Sequence, residues 1–341
     1  MTLGTLSVFE PDQCFDLLME DFNLTPSNPS TFILNGIPGL EDAHIWISIP
    51  FSMFYIICLL GNFMVLFVVC KEQTLHKPIF LLICMLALTD ICQCTCIVPK
   101  ALCIFWFHSK VITVVGCFTQ IFFLYVLGAT QSSVLLIMAF DRYIAICHPL
   151  RYATILTNAR IAKLGLVGLI RAVLFVLPMP ILLRRLSFCA NHVIPHTYCE
   201  YLTVVKISCG DTTVNQMYSL VVLLVTIGSD VILTGLSYGM ILRAVFRISS
   251  KKANRKALNT CTAHICVILM ACTPLVFSAL TRRFSQGIAA HIDILLANLY
   301  LILPPMLNPI IYGVKTKELL DKLRIYTCRM LSPGASDFKP A

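Results

Sequence analysis

Seven apolar runs, each long enough to cross a bilayer, constrain this chain more than any other feature. They lie near residues 46–70, 79–99, 111–146, 161–183, 214–242, 258–280 and 291–313. A helix needs about 20 apolar residues to span a hydrocarbon core roughly 30 Å thick. A barrel would instead show alternating segments of about ten residues, and backbone within lipid must satisfy its own hydrogen bonds, so helices are the reading that remains. Composition agrees: 58% of the residues are hydrophobic and 13% charged, against about a quarter charged in an ordinary soluble domain. The expected fold is an all-α membrane protein, a seven-transmembrane helix bundle over 46–313. An extracellular acidic segment, 1–45, precedes it, and a short cytoplasmic amphipathic helix and tail, 314–341, come after it.

Charge orients the bundle. Seven spans put the termini on opposite sides of the membrane. With the N-terminus outside, the inner loops and tail carry 18 Lys and Arg residues and the outer side seven, while the segment before Trp46 has none and is acidic. The positive-inside rule therefore predicts an outer N-terminus and an inner C-terminus. The net charge of +9 reflects this topology and does not point to nucleic acid. No basic start leading into an apolar stretch precedes the first span, so that span is expected to act as its own insertion signal. Asn23-Leu24-Thr25 is a glycosylation sequon on the predicted outer side, whereas proline disqualifies Asn28-Pro29-Ser30.

The 17 cysteines divide by position. Most lie in helices or on the inner side, where Cys is by default a small apolar residue. Cys117, Cys189, Cys199 and Cys209 face outward, where disulfides form, and four cysteines permit three pairings. Cys92, Cys94 and Cys96 look like a metal cluster only on paper: on a helix the first and third share a face and the second does not, so packing is the reading and no metal or cofactor is expected. Cys328, in a basic stretch past the last span, is a palmitoylation candidate.

Ionisable and amide side chains at membrane depth are costly, which makes each a functional candidate. Asn62, Asp90 and Asn308 fall at similar depths in spans one, two and seven. Together they form either a polar or ion-holding cluster or plain interhelical glue. Arg171 in span four and Asp230 in span five are further buried charges without an evident role. Pro274, Pro304, Pro305 and Pro309 interrupt the last two spans, each removing a backbone hydrogen bond and permitting a kink. At the end of span three, Asp141 and Arg142 close a long apolar run. Either they are a solvated edge or Asp141 neutralises Arg142 in one state of a switch, with Tyr238 and Tyr312 placed to meet the arginine in the other.

Three longer stretches carry a resemblance: MAFDRYIAICHPLRY from Met138 to Tyr152, KALNTC from Lys256 to Cys261, and PMLNPIIY from Pro305 to Tyr312. They are similar to the signature stretches of odorant receptors, within the rhodopsin-like G protein-coupled receptors. Gly36-Ile-Pro-Gly-Leu40, Arg283-Phe284 and the long loop after span four resemble the class I, fish-like branch. The resemblance covers about residues 30 to 325. It implies the pairings Cys117–Cys199 and Cys189–Cys209, and a switch comprising Asp141, Arg142, Tyr143, Tyr238, Asn308, Pro309 and Tyr312. It also implies coupling to the olfactory stimulatory G protein and cAMP, small odorants as ligands, no enzyme chemistry, and a place in the plasma membrane of olfactory neuron cilia. Class I receptors are associated with carboxylic acids. Arg283 matches the position of an arginine that partners the anion, since a guanidinium forks onto a carboxylate through two parallel hydrogen bonds.

Helix geometry adds pocket candidates on one face of span three, Phe118, Phe122, Tyr125, Gly128 and Ala129, with Ser278 in span six. Three positions depart from the family pattern. Tyr125 stands where many class I relatives have histidine. Gln131 replaces a usual glutamate and so removes a carboxylate opposite Asp90, and Cys272 replaces an aromatic residue. Two alternatives compete with this reading: a rhodopsin-like receptor for a non-odorant metabolite or lipid, and a transporter. The transporter would show internal repeats with polar breaks in corresponding halves, and none is evident.

Overall fold

The computed structural model describes residues 29–188, 192–246, 262, 265, 267–269 and 290–331. Within them the chain is a bundle of long helices: α1 (His44–Lys71), α2 (Pro78–Phe107), α3 (Val114–Cys147), α4 (Asn158–Val176, extended by a turn over Pro178–Leu183) and α5, whose parts are Thr213–Leu223, Leu224–Gly228 and Ser229–Phe246. α6 is described only at 262, 265 and 267–269, all helical, within the predicted sixth span. α7 (Ala290–Lys315) and α8 (Lys317–Leu331) complete the order. Six of these helices are long and apolar enough to cross a membrane.

Side chains facing outward along the spans are largely apolar, as a lipid-facing surface requires. Trp46, Leu60, Val167, Leu174, Ile232 and Leu236 are examples. The interior divides into a large apolar cluster at one end, around Phe105, Ile121, Val176 and Tyr201, and a second around Leu82, Leu86, Met138 and Tyr312.

Helix ends differ from the sequence expectation for local reasons. α2 continues to Phe107 instead of stopping near Pro99, because proline inside a helix kinks it without necessarily ending it. Lys100, which in sequence resembles an exit from the membrane, extends its Nζ to the carbonyls of Ser109 (2.8 Å) and Val111 (2.7 Å). Span three begins at Val114 instead of 111, because 111–113 form a strand. Thr113 caps the helix, its hydroxyl accepting from the Gly116 amide at 3.1 Å.

That strand, β2 (Val111–Thr113), pairs antiparallel with β1 (Thr31–Leu34), and β1 pairs parallel with β3 (Val193–Ile194). This three-stranded sheet, ordered β2-β1-β3, ties the segment before α1 across one end of the bundle, the sheet end. α8 marks the other end. There it docks on the α1–α2 loop through Lys77–Glu318 and Lys322–Glu72, each at 2.6 Å, and through Tyr326 Oη donating to Glu72 at 3.0 Å.

Candidate functional site

Among the described residues, three groups of polar side chains in the bundle interior contain candidates from the sequence. At the α8 end of α3, the fully buried carboxylate of Asp141 takes a hydrogen bond from Arg142 Nε at 3.0 Å, with Nη2 at 2.7 Å from the same oxygen. Its other oxygen accepts from Tyr152 Oη at 2.7 Å. Tyr152 lies in the short helical turn Tyr152–Ile155 after α3. Burial first, then the Asp141 charge, push its phenol above the ordinary range, so it stays a donor. One turn toward the sheet end, Tyr312 Oη of α7 rests on Met138 Sδ at 3.8 Å. Tyr238 of α5 packs beside Ala139, Ile241 and Val245, with Tyr143, Ile265 and Ile268 against the same cluster. The arginine thus lies against its own neighbour, while both tyrosines pack near it on α3.

The second group is held by prolines. A proline lacks the N–H that the carbonyl four residues earlier needs. Pro305 frees the carbonyl of Leu301, which accepts from Gln93 Nε2 at 3.3 Å. Pro309 frees that of Pro305, which accepts from Asn62 Nδ2 at 3.0 Å. Gly61 lets α1 come this close: a Cβ there would sit 2.8 Å from Pro309 Cγ. Asn62 therefore serves the α7 kink instead of hydrogen-bonding the Asp90 carboxylate, and its amide also donates to the Cys58 carbonyl at 2.9 Å. Asp90, fully buried, is met by Gln131 Nε2 at 2.8 Å and Asn308 Nδ2 at 2.9 Å. Two amide donors on the one carboxylate occupy both its oxygens, and Gln131 brings no second negative charge to hold a cation.

The third group lies at the sheet end. The Cys117–Cys199 disulfide, with a Cα separation of 5.4 Å, fastens the α4–α5 loop to the start of α3. Gln120, one turn on, accepts from the Cys199 amide at 2.8 Å and donates to the Cys96 carbonyl at 2.7 Å. Glu200 comes next in the loop and is buried. One carboxylate oxygen caps the short helix Tyr201–Lys206 by accepting from the Thr203 amide and hydroxyl at 2.7 and 2.8 Å. Its other oxygen accepts from Tyr125 Oη at 3.3 Å. The Tyr125 and Tyr201 rings are 6.2 Å apart, edge to face, and the Tyr201 hydroxyl accepts from Asn215 of α5 at 3.2 Å. Thr197 donates to Asn298 of α7 at 2.7 Å.

The loop thus forms a polar roof joined to α3, α5 and α7. Below it Phe122, Tyr125, Gly128 and Ala129 form one wall. Among the described residues, no atom beyond its chain neighbours and its own helix backbone lies within 4 Å of where a Cβ on Gly128 would stand, so they leave that wall open there. Glu200, Gln120, Thr197 and Asn298 are additions that sequence reasoning misses. The one available signal is the acid directly after Cys199. Arg283, Ser278, Cys272, Pro274, Cys189 and Asn23 lie outside the described residues. Cys209 is disulfide-bonded.

A family model described as "Olfactory receptor" matches residues 51–331. The chain belongs to the olfactory receptor family. Among its human relatives, Olfactory receptor 52P1 is 50% identical over 305 residues, covering 89% of this chain and 95% of that receptor. Olfactory receptor 52N4 is 48% identical over 94% of this chain and 99% of its own, and Olfactory receptor 52D1 48% over 89% and 96%. As an olfactory receptor the chain is a multi-pass, seven-transmembrane, odorant-binding G protein-coupled receptor of class I, and it is not an enzyme.

Proposed function

We propose that this receptor binds small carboxylic acids beneath the loop roof, with the acid held by Arg283. The observation that carries the reading is the wall of Phe122, Tyr125, Gly128 and Ala129, left open at Gly128 by the described residues and roofed by loop residues. Apolar walls with a few convergent polar groups are what a small ligand needs. Ser278, the polar candidate that the sequence offers in span six, is proposed as a second ligand contact. The buried Glu200 carboxylate beside Tyr125 disfavours a second anion next to it, so the ligand carboxylate is proposed to pair with Arg283 and the apolar chain to lie against the Gly128 wall.

Binding shifts the bundle from a state in which Asp141 neutralises Arg142 to one in which Tyr238 and Tyr312 meet the arginine. Such a shift requires the ligand to prefer the second state. Tyr143, Asn308 and Pro309 belong to the same switch, which opens the α8 end to the olfactory stimulatory G protein and raises cAMP. The distribution of Lys and Arg supports an outer N-terminus, with residues 1–45 extracellular, Asn23 glycosylated, Cys189 paired with Cys209 and residues 314–341 cytoplasmic, in the plasma membrane of olfactory cilia. The polar cluster of Asp90, Gln131 and Asn308, with Asn62 beside it, acts as a structural tie between helices.

An odorant panel split into acids, alcohols, aldehydes and amines, read as cAMP in cells expressing the receptor with that G protein, tests the reading. Responses to fatty acids of moderate length, lost in Arg283→Ala at equal surface level, are expected. An unchanged acid dose response in the variant contradicts the clamp.

A further inference from the structure

Arg171, half-buried midway along α4, and the buried Asp230 of α5, the two charges the proposed function leaves unused, meet between these helices. Arg171 Nη2 lies 2.5 Å from Asp230 Oδ2, and the aspartate side chain is only 1% exposed. The same nitrogen donates to Ser133 Oγ of α3 and to the Thr226 carbonyl of α5, each at 3.0 Å, and Nη1 is 3.5 Å from Ser229 Oγ.

Two backbone devices build this site. Gly168, one turn before Arg171, lets α4 approach α3: a Cβ there would sit 2.8 Å from Ser133 Cβ. In α5, residues Leu224–Gly228 form a π turn between two α-helical parts. A π turn shifts the register of the helix beyond it, and such turns concentrate at functional sites. Thr226 lies within this turn and Asp230 just after it. Arg171 therefore grips α5 at the one place where its helix changes pitch. A second sign of purpose is Asp230 Oδ1, buried with no hydrogen-bond partner among the described residues. A tie selected for stability alone would satisfy both oxygens.

The two parts of α5 serve different ends of the molecule. Thr213–Leu223 is joined to the loop roof, through Asn215 on Tyr201 and through Val222 and Tyr218 in the sheet-end cluster. Ser229–Phe246 carries Tyr238, packed with Ala139, Tyr143, Ile265 and Ile268 near Arg142. Any movement passed along α5 from roof to switch crosses the π turn. The grip is seen in the same arrangement in which Arg142 is paired with Asp141.

We propose that Arg171 is a positioning residue for signalling: through Asp230, Ser133 and the Thr226 carbonyl it pins the α5 π turn in the resting register, and release of this pin is part of activation. The inference rests on G protein coupling by the family and not on the ligand class.

Removing Arg171 alone leaves Asp230 buried and unpaired, which is strongly destabilising, whereas replacing both by apolar side chains is often tolerated. The test therefore uses the paired change R171M/D230M and, separately, the mild S133A. Agonist-independent recruitment of miniature G proteins of the stimulatory, inhibitory and q classes is read per receptor at the cell surface. The pin predicts a rise of about two- to thirtyfold in R171M/D230M, the range that coupling mutations span, and a smaller rise in S133A. Recruitment per surface receptor at or below the wild-type level in R171M/D230M overturns it, including a loss confined to the amount of receptor delivered. If that variant does not reach the surface, S133A decides: a rise supports the pin and an unchanged level overturns it. No odorant enters the assay, so failure of the acid-clamp reading does not affect the outcome.

Discussion

The phenol of Tyr152 donates a 2.7 Å hydrogen bond to the Asp141 carboxylate that pairs with Arg142. A loop residue thus helps decide how strongly the acid holds the base. Hydrogen bonds to charged groups contribute about 1.5–3 kcal/mol, enough to shift a two-state balance by tenfold or more. Tyr152→Phe keeps the ring and removes only this bond. It is expected to change agonist-independent G protein recruitment severalfold at equal surface level. Recruitment identical to wild type would remove Tyr152 from the switch.

Gly61 and Pro309 make a second testable contact. A side chain at Gly61 has no room, with the proline ring 2.8 Å from the nearest Cβ position, and overpacking costs about 1–3 kcal/mol. Gly61→Val is expected to lower the thermal midpoint of the purified receptor and to loosen the Asn62 bond to the Pro305 carbonyl. A midpoint equal to wild type would show that α1 moves aside freely.

Among the described residues, Gly128 marks open space on the α3 wall. Gly128→Leu is expected to shift the preferred fatty acid to shorter chains, since one methylene in an apolar pocket is worth about 1–3 kcal/mol. Dose responses across a chain-length series at equal surface expression measure this. An unaltered series would place the ligand elsewhere.

The helices are legible in the sequence because lipid demands long apolar runs, and the disulfide Cys117–Cys199 because the family resemblance supplies a pairing that spacing leaves open. The sheet is not. β1 and β3 are only four and two residues long, too short to show alternation, and their pairing is set by tertiary contact. The π turn is equally hidden, since Leu224–Gly228 reads as ordinary apolar helix and the contact it makes, Thr226 carbonyl to Arg171, spans 55 residues of sequence. Asp90, Gln131 and Asn308 are each visible as polar residues at membrane depth. That Asn62 turns to the α7 backbone stems from Pro309 and its freed carbonyl, a consequence available from proline chemistry alone. Glu200 is marked in sequence only by its place directly after Cys199, because acids in loops are usually solvated, and it is buried beside that disulfide.

The proposed switch turns on Arg142 as the residue that couples the bundle to a G protein. The most direct measurement is the cAMP response per surface receptor, with and without an acid panel, in wild type and Arg142→Gln expressed with the olfactory stimulatory G protein. Loss of the response with surface receptor retained is the predicted result. A retained response in Arg142→Gln would contradict it and leave Asp141 and Arg142 as an ordinary charged edge of α3.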